Sequence, residues 1–325
     1  MKKFLVVLLI GVLVIGAMGM TKKGNVIILK AADDHHKGYS TVEGLYLMAK
    51  LVKLWTNGRI QIQVYPGAVL GSEKETIEQT QMGIIDINRV SIAPLTSLYP
   101  KLSVFALPYI FKSREHMWKV LESDIGQNML LDLKKVGLIG LAYMDSGARS
   151  FYTVKKPILS PADLKGLKIR TQKSPVIMDM VKAMGGRPVP MAFEEVYSAL
   201  QTGVIDGAEN NPPSYYETRH YEVAKYYSLD EHAMVPEILV MSLRTWNALS
   251  PQDRKIIKMA AIAAQELQRK LWLRDEQAAL EKVKEAGCKI YHPNKEPFIK
   301  AVQPVYKKYA SKYMDLVKKI QAMGE

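Results

Sequence analysis

From Val26 onward, apolar and polar positions fall into short, well-punctuated blocks. Val26 to Ala32 is a brief apolar run that breaks into Asp33-Asp34-His35-His36, the pattern of a strand opening into a loop. From Thr41 to Trp55 the residues Val42, Leu45, Met48, Leu51 and Val52 keep helical spacing, and Asn57-Gly58 supplies the stop. Ile60 to Val64 alternates with period two and ends in Tyr65-Pro66-Gly67, which predicts a second strand. A helix over 73–82 and a short strand over 84–87 complete a β-α-β-α series. That order predicts parallel strands joined by crossover helices. In such sheets ligands bind outside the carboxyl ends of the strands.

The same grammar returns further on. Strands are predicted over 138–143 and 168–171, a helix over 175–184, an extended stretch over 187–191, a helix over 193–202 and a strand over 204–209. Gln81-Met82-Gly83-Ile84-Ile85-Asp86 is echoed by Gln201-Thr202-Gly203-Val204-Ile205-Asp206, a helix-Gly-apolar-Asp joint in each half. Two similar α/β lobes follow. Ser250-Pro251-Gln252-Asp253 then reads as a strong helix start, with no Gly or Pro before Gly287. About 35 residues at 1.5 Å each give a rod of roughly 50 Å, long enough to bridge both lobes. A final amphipathic helix is expected over 307–323.

The beginning of the chain has a different character. Lys2-Lys3, an apolar run from Phe4 to Ala17 and small residues at its end describe an export signal over 1–20. The alternative is a membrane anchor, for which the run is short. The expectation is an exported, cleaved and soluble protein.

Composition removes several classes. Among 325 residues, 48% are hydrophobic and 24% charged, an ordinary globular balance. The single cysteine, Cys288, excludes an internal disulfide framework and a multi-thiolate zinc site. Basic residues exceed acidic ones for a net charge of +13, but they are scattered rather than gathered in a stripe, so nucleic acid is not an expected partner. The field favours anionic solutes. No phosphate loop, dinucleotide fingerprint, HExxH or GxSxG occurs, and no nucleophile sits with a base. The histidines lack ligand spacing, so neither an enzyme, a metal nor a cofactor is expected.

What stands out is a set of arginines and amides in loops after strands: Arg149 in Asp145 to Tyr152, Arg170 within an apolar strand, and Asn210 to Tyr215. A guanidinium in a core-like strand needs a carboxylate. That partner is either an internal acid or an anionic ligand gripped by the planar fork.

Leu164-Lys165-Gly166-Leu167-Lys168-Ile169-Arg170, Met184 to Met191 and Glu195 to Asn210 together resemble the signature of solute-binding proteins of tripartite ATP-independent periplasmic (TRAP) transporters. The likeness runs from Ile60-Gln61-Ile62 through Leu107-Pro108-Tyr109 to Trp246-Asn247-Ala248. It implies the two-lobed α/β periplasmic binding protein fold, with a long helix at about 250–286 spanning both lobes. Lobe I is expected over 25–147 and 237–325, and lobe II over 148–236. The implied task is binding an organic acid, by closure about crossings near 147 and 237, for delivery to TRAP membrane permease subunits. A monomer is the default.

By the same resemblance, Arg170 matches the arginine on the ligand carboxylate, Arg149 and Asn210 two further ligand-facing positions, and Phe193 an aromatic of the wall. Gly186-Arg187 departs from the common pattern. The stretches 145–152, 210–215 and 223–232 look most like members that bind hexuronates such as glucuronate and galacturonate. A uronate offers one carboxylate for Arg170 and Arg149, plus hydroxyls for Glu73, Arg89, Asn210, Tyr215 and Glu237. His35, His36 and Tyr39 are expected to line the same cleft. The alternative ligand is another organic anion: a C4-dicarboxylate, aldonate or keto acid.

Overall fold

The computed structural model describes residues 26–324; the expected export signal at 1–20 lies outside the described residues. The strands, in chain order, are β1 (Ile27–Ala32), β2 (Ile60–Tyr65), β3 (Ile87–Ser91), β4 (Leu138–Met144), β5 (Arg149–Thr153) and β6 (Lys168–Thr171). They continue as β7 (Arg187–Pro190), β8 (Gly207–Asn210), β9 (Tyr226–Ala233), β10 (Glu237–Ser242) and β11 (Lys289–Tyr291). They form one sheet of order β2-β1-β3-β10-β4 and a second of order β11-β9-β5-β8-β6-β7. β1 runs parallel to β2 and β3, and β6 parallel to β7 and β8, as the crossover pattern predicts. The antiparallel members were not legible. β10 lies between β3 and β4, and β5 between β8 and β9.

These strands also carry the chain between lobes. It leaves the first sheet after Met144, enters the second at Arg149, and returns between Ala233 and Glu237. A helix over Pro251–Glu285 makes the third connection, starting where the Ser250 hydroxyl accepts the Asp253 N–H at 3.1 Å. Its first half packs Ile257, Ala260, Ala261 and Ala264 against Leu45, Met48 and Leu141 of the first lobe. Its far end packs Val283 among Tyr152, Tyr215 and Tyr227 of the second.

The repeated helix-Gly-apolar-Asp joint has a physical explanation. Gly83 and Gly203 end their helices with positive φ, 80° and 72°, where a side chain would be strained. The next residue is exposed in each case (Ile84, Val204) and the one after is buried (Ile85, Ile205). Asp86 and Asp206 then accept the backbone N–H of Lys30 and Lys168, each at 2.8 Å, and so pin the neighbouring parallel strand. The predicted strands at 84–87 and 204–209 consequently begin about three residues late, at Ile87 and Gly207, because the joint uses the first apolar residues as a turn.

Three other expectations change. The helix over 193–202 opens as a 3₁₀ turn at Phe193–Glu195 before Val196–Gln201. The expected helix over 307–323 is broken into Gln303–Tyr309 and Met314–Ala322 by a turn at Ser311–Tyr313. After the long helix, β11 pairs with β9 and so belongs to the second sheet, not to lobe I as the 237–325 assignment had it. Among the described residues, no helix is long and apolar enough to cross a membrane.

Gln268, fully buried on the long helix, ties it to the crossing strand. Its Oε1 accepts from Asp145 N–H at 2.8 Å, and its Nε2 donates to Asp145 O at 2.9 Å and Ser40 Oγ at 3.1 Å. Gln268→Leu keeps the bulk but strands three buried polar groups. Urea unfolding should show a loss of about 1–3 kcal/mol, and an unchanged midpoint would remove Gln268 as a tether.

Candidate functional site

The two sheets point strand ends at a shared cleft, and the side chains found there follow from where those strands stop. β6 delivers Arg170, only 3% exposed, flanked by buried Ile169 and Thr171. Its Nε and Nη2 donate to the Met191 carbonyl oxygen at 3.1 and 2.9 Å, and its guanidinium lies 5.7 Å from the centre of the Phe193 ring. No carboxylate among the described residues forms an ion pair with it. Burial pulls its pKa below the ordinary value because the nearby charges compensate too little. Beside it, the buried Gln172 Oε1 has no hydrogen-bond partner in the protein.

Arg149, at the start of β5, is differently placed. Its Nε and Nη2 donate to Glu209 at 2.5 and 3.0 Å, and its Nη1 to Asn210 Oδ1 at 2.9 Å. Burial alone would raise Glu209, but Arg149 and His232 outweigh it and hold the carboxyl down to about 2. Burial likewise opposes a charged His232, yet Asp230 and Glu209 hold it up to about 9. Arg149, Glu209, His232 and Asp230 are therefore a charge-balanced, fully buried quartet.

The first lobe contributes a second ionic nest. Arg89 on β3 donates Nη1 to Glu237 at 2.7 Å and Nη2 to Asp33 at 2.5 Å, with Asp34 also on Nη2 and Glu73 3.7 Å from Nη1. His35 Nδ1 lies 3.1 Å from both Asp33 and Asp34. Burial and Arg89 oppose its charge, but the two aspartates hold it up to about 9. Glu73 goes the other way. Burial and the Asp34 charge push it up to about 8, although Arg89 and the Ser91 N–H, 2.6 Å away, pull against them. At neutral pH it is a protonated acid able to donate. Asp33, Asp34 and His35 converge as metal ligands would, but the Arg89 guanidinium occupies their oxygens.

Of the residues expected at the site, Arg170, Arg149, Glu73, Arg89, Asn210, Glu237, Phe193 and His35 line one inner chamber. Tyr39 and His36 lie in a neighbouring chamber, with Tyr39 stacked on His35 at 3.8 Å. Tyr215 is a correction. It is fully buried in the second lobe's core, its hydroxyl donating to the Ala224 carbonyl at 2.5 Å, because it falls on the inner face of the helix Pro212–Glu217. Arg187 opens the outer strand β7 and is exposed. Asp34, Gln172, Asn211 and Ser214 line the chamber but were not singled out. Each immediately neighbours or shares a loop with a residue that was, and strand-end position was the available signal. The lobes touch on both flanks, through Tyr39 Oη and Ser214 Oγ at 2.9 Å and Thr96 Oγ1 and Ser174 Oγ at 3.3 Å.

Two α/β lobes, three connections and a buried polar cleft between them define an extracytoplasmic solute-binding protein. The profile of the family described as bacterial extracellular solute-binding protein, family 7, matches residues 32–312, and the chain belongs to that family. It is similar to a TRAP periplasmic solute-binding protein of Pseudomonas putida F1 solved with bound D-glucuronate. That match has 44% identity and a TM-score of 0.89, covering 91% of this chain and 97% of that one. It is also similar to one of Xanthobacter autotrophicus Py2 solved with bound β-D-galacturonate, at 41% identity and a TM-score of 0.88, covering 90% and 99%. The 2,3-diketo-L-gulonate-binding periplasmic protein of Escherichia coli is 32% identical over 80% of this chain and 81% of its own length.

The His35 imidazolium sets a pH dependence. The unfolded chain releases that proton near its ordinary value of 6.5, whereas the folded chain holds it to about 9. Its stabilisation is therefore complete below pH 6.5 and is lost as pH rises toward 9. In ligand-free urea unfolding, the stability gap between parent and His35→Gln should be wide at pH 6 and narrow at pH 9. A gap of equal size at both would show that the aspartates do not hold the proton.

Proposed function

We propose that the protein is exported and captures a hexuronate, D-glucuronate or D-galacturonate, for a TRAP-type membrane permease, closing its lobes around the sugar acid and releasing it unaltered. The family and the uronates bound by similar proteins support this reading. The observation that carries it is Arg170: a buried guanidinium facing the inner chamber with a carbonyl for company and no acid. A ligand carboxylate supplies the missing charge through a fork that lysine cannot reproduce. Arg149 is already matched by Glu209, so its part is to fix Asn210 and lend a polarised edge to the chamber. Around the sugar, Gln172 and Asn210 offer amides, Asn211 and Ser214 polar groups, and protonated Glu73 a donor for ring hydroxyls. Phe193 walls one side.

Contacts from both lobes coexist only when the lobes meet, so the ligand shifts the population toward the closed form. The crossings at 145–148 and 234–236 serve as hinges, and the long helix flexes with them. With one capture site, a monomer suffices.

Titration calorimetry with D-glucuronate, D-galacturonate, 2,3-diketo-L-gulonate and succinate tests the reading: a uronate should bind most tightly, and tighter binding of succinate would reverse it. Leaving a buried charge unpaired costs about 3–5 kcal/mol. At 1.4 kcal/mol per decade, Arg170→Ala should weaken uronate binding about a hundredfold or more. Arg170→Lys should not recover the parent affinity. Either variant within threefold of the parent would remove Arg170 from the carboxylate site.

A further inference from the structure

The inner chamber does not end at the first lobe. Behind the contact of His35 with Phe193, whose ring centres are 5.2 Å apart, a larger chamber of about 210 Å³ opens between the lobes. It shares Asp34, His35 and Phe193 with the inner chamber. The two adjoin across the His35 and Phe193 rings, one from each lobe, and these rings separate when the lobes part. The larger chamber's volume is several times the roughly 30 Å³ that one water occupies, so the space is a cavity for a small group rather than a packing defect.

Its walls have a defined chemistry. Aromatic faces come from both lobes: the stacked pair His35 and Tyr39 on one side, Phe193 and Tyr197 on the other. Such faces bury the apolar side of a ring at low conformational cost. Two carboxylates, Glu194 and Glu217, supply acceptors for hydroxyl groups, while Asp34 is held by Arg89 and His35. No lysine or arginine lines the chamber; of its three histidines, His35 is shared between Asp33 and Asp34, burial and then Arg170 hold His220 below its ordinary pKa, and His36 is the third. The opposite mouth of the cleft is the reverse: Arg170 is joined there by Lys74 and Lys173, one from each lobe.

On the uronate reading, on which this inference rests, the inner chamber holds the sugar acid. We propose that the aromatic, acidic chamber is a second subsite that takes a neutral sugar attached to the uronate, so that the protein also captures aldobiouronic acids. A second uronate is disfavoured there, because its carboxylate would meet Glu194 and Glu217 with no lysine or arginine to answer it. The neutral ring lies against Phe193 and Tyr197 and gives its hydroxyl protons to Glu194 and Glu217.

Matched probes separate these statements. Calorimetry on the purified protein uses D-galacturonate, galacturonosyl-(1→2)-rhamnose and rhamnosyl-(1→4)-galacturonate, which place a neutral sugar at C1 or C4, and the acidic digalacturonate. At least one neutral disaccharide should bind within thirtyfold of galacturonate, with digalacturonate at least tenfold weaker than that disaccharide. Tyr197→Ala should weaken the disaccharide about tenfold and leave galacturonate unchanged, and Glu217→Lys should narrow the gap to digalacturonate. Galacturonate binding with both neutral disaccharides more than thirtyfold weaker would overturn the subsite. Digalacturonate equal to the neutral disaccharide would overturn its charge selectivity, and so would an unmoved gap in Glu217→Lys. A Tyr197→Ala effect of equal size on galacturonate and disaccharide would also overturn the subsite. Failure of D-galacturonate and D-glucuronate alike would sink the uronate reading itself, a result distinct from all of these.

Discussion

A buried guanidinium without an acid is the interaction on which the cleft depends. Taking a charge out of water costs several kcal/mol even after the protein relaxes, yet Arg170 receives only the Met191 carbonyl and the face of Phe193. Every other deeply buried arginine of the cleft is answered from within: Arg149 by Glu209, Arg89 by Asp33, Asp34 and Glu237. The contrast gives the imbalance its meaning. Were buried arginines here merely structural, the fold has the means to pair them and does so twice within the same chamber. On the uronate reading, the deficit at 170 is the part of the site that an anion from outside completes.

The scaffold holds this deficit in place through the two joints that end in Asp86 and Asp206. Each aspartate fixes the start of a strand against its parallel neighbour. Three residues on, the strands carry Arg89 and Glu209, the centre of one ionic nest and the anion of the other. An error in that register would move a charge to the opposite face of its sheet. The two crossing segments and the long helix then limit how the lobes move relative to one another. Gln268 grips the first crossing at Asp145, so hinge and helix share a hydrogen-bonded contact.

Much of this was legible, and the parts that were not share a cause. Parallel strands announced themselves by alternation or apolar runs, and the long helix by its Ser-Pro start and its lack of breakers. β5 and β10 are buried on both faces and carry charged residues at their starts, Arg149 and Glu237. β5 shows neither alternation nor an apolar block, and the apolar block of β10, Ile238 to Met241, is only four residues long between Glu237 and Ser242. Arg170 was readable because one cation interrupts an apolar strand. Its neighbour Gln172 was not, since an amide at a strand end has no distinguishing pattern until the opposite lobe is in place. Tyr215 misled for a related reason. It shares a loop sequence with Asn211 and Ser214, but the helix begun by Pro212-Pro213 turns it inward. The pairing of Arg149 with Glu209, 60 residues away in sequence, is a product of strand register alone.

The distribution of charge also orders the capture. The first lobe brings no free cation to the chamber: Arg89 is saturated by carboxylates, and its other ionisable groups there are Asp34, Glu73, Glu237 and the shared His35. A carboxylate approaching that lobe alone meets acids. The second lobe has the reverse character in the chamber, with Arg170 unmatched, while the adjoining mouth carries a lysine from each lobe, Lys74 and Lys173. On the uronate reading, the sugar acid therefore settles on the second lobe first, carboxylate on Arg170. The first lobe then closes over its hydroxyls, for which acceptors and a protonated Glu73 are the suitable partners. An anion lacking hydroxyls gains the first step and forfeits the second. Arg170 thus gives the site its taste for acids, while the acidic lobe, by having no cation to spare, selects the sugars among them.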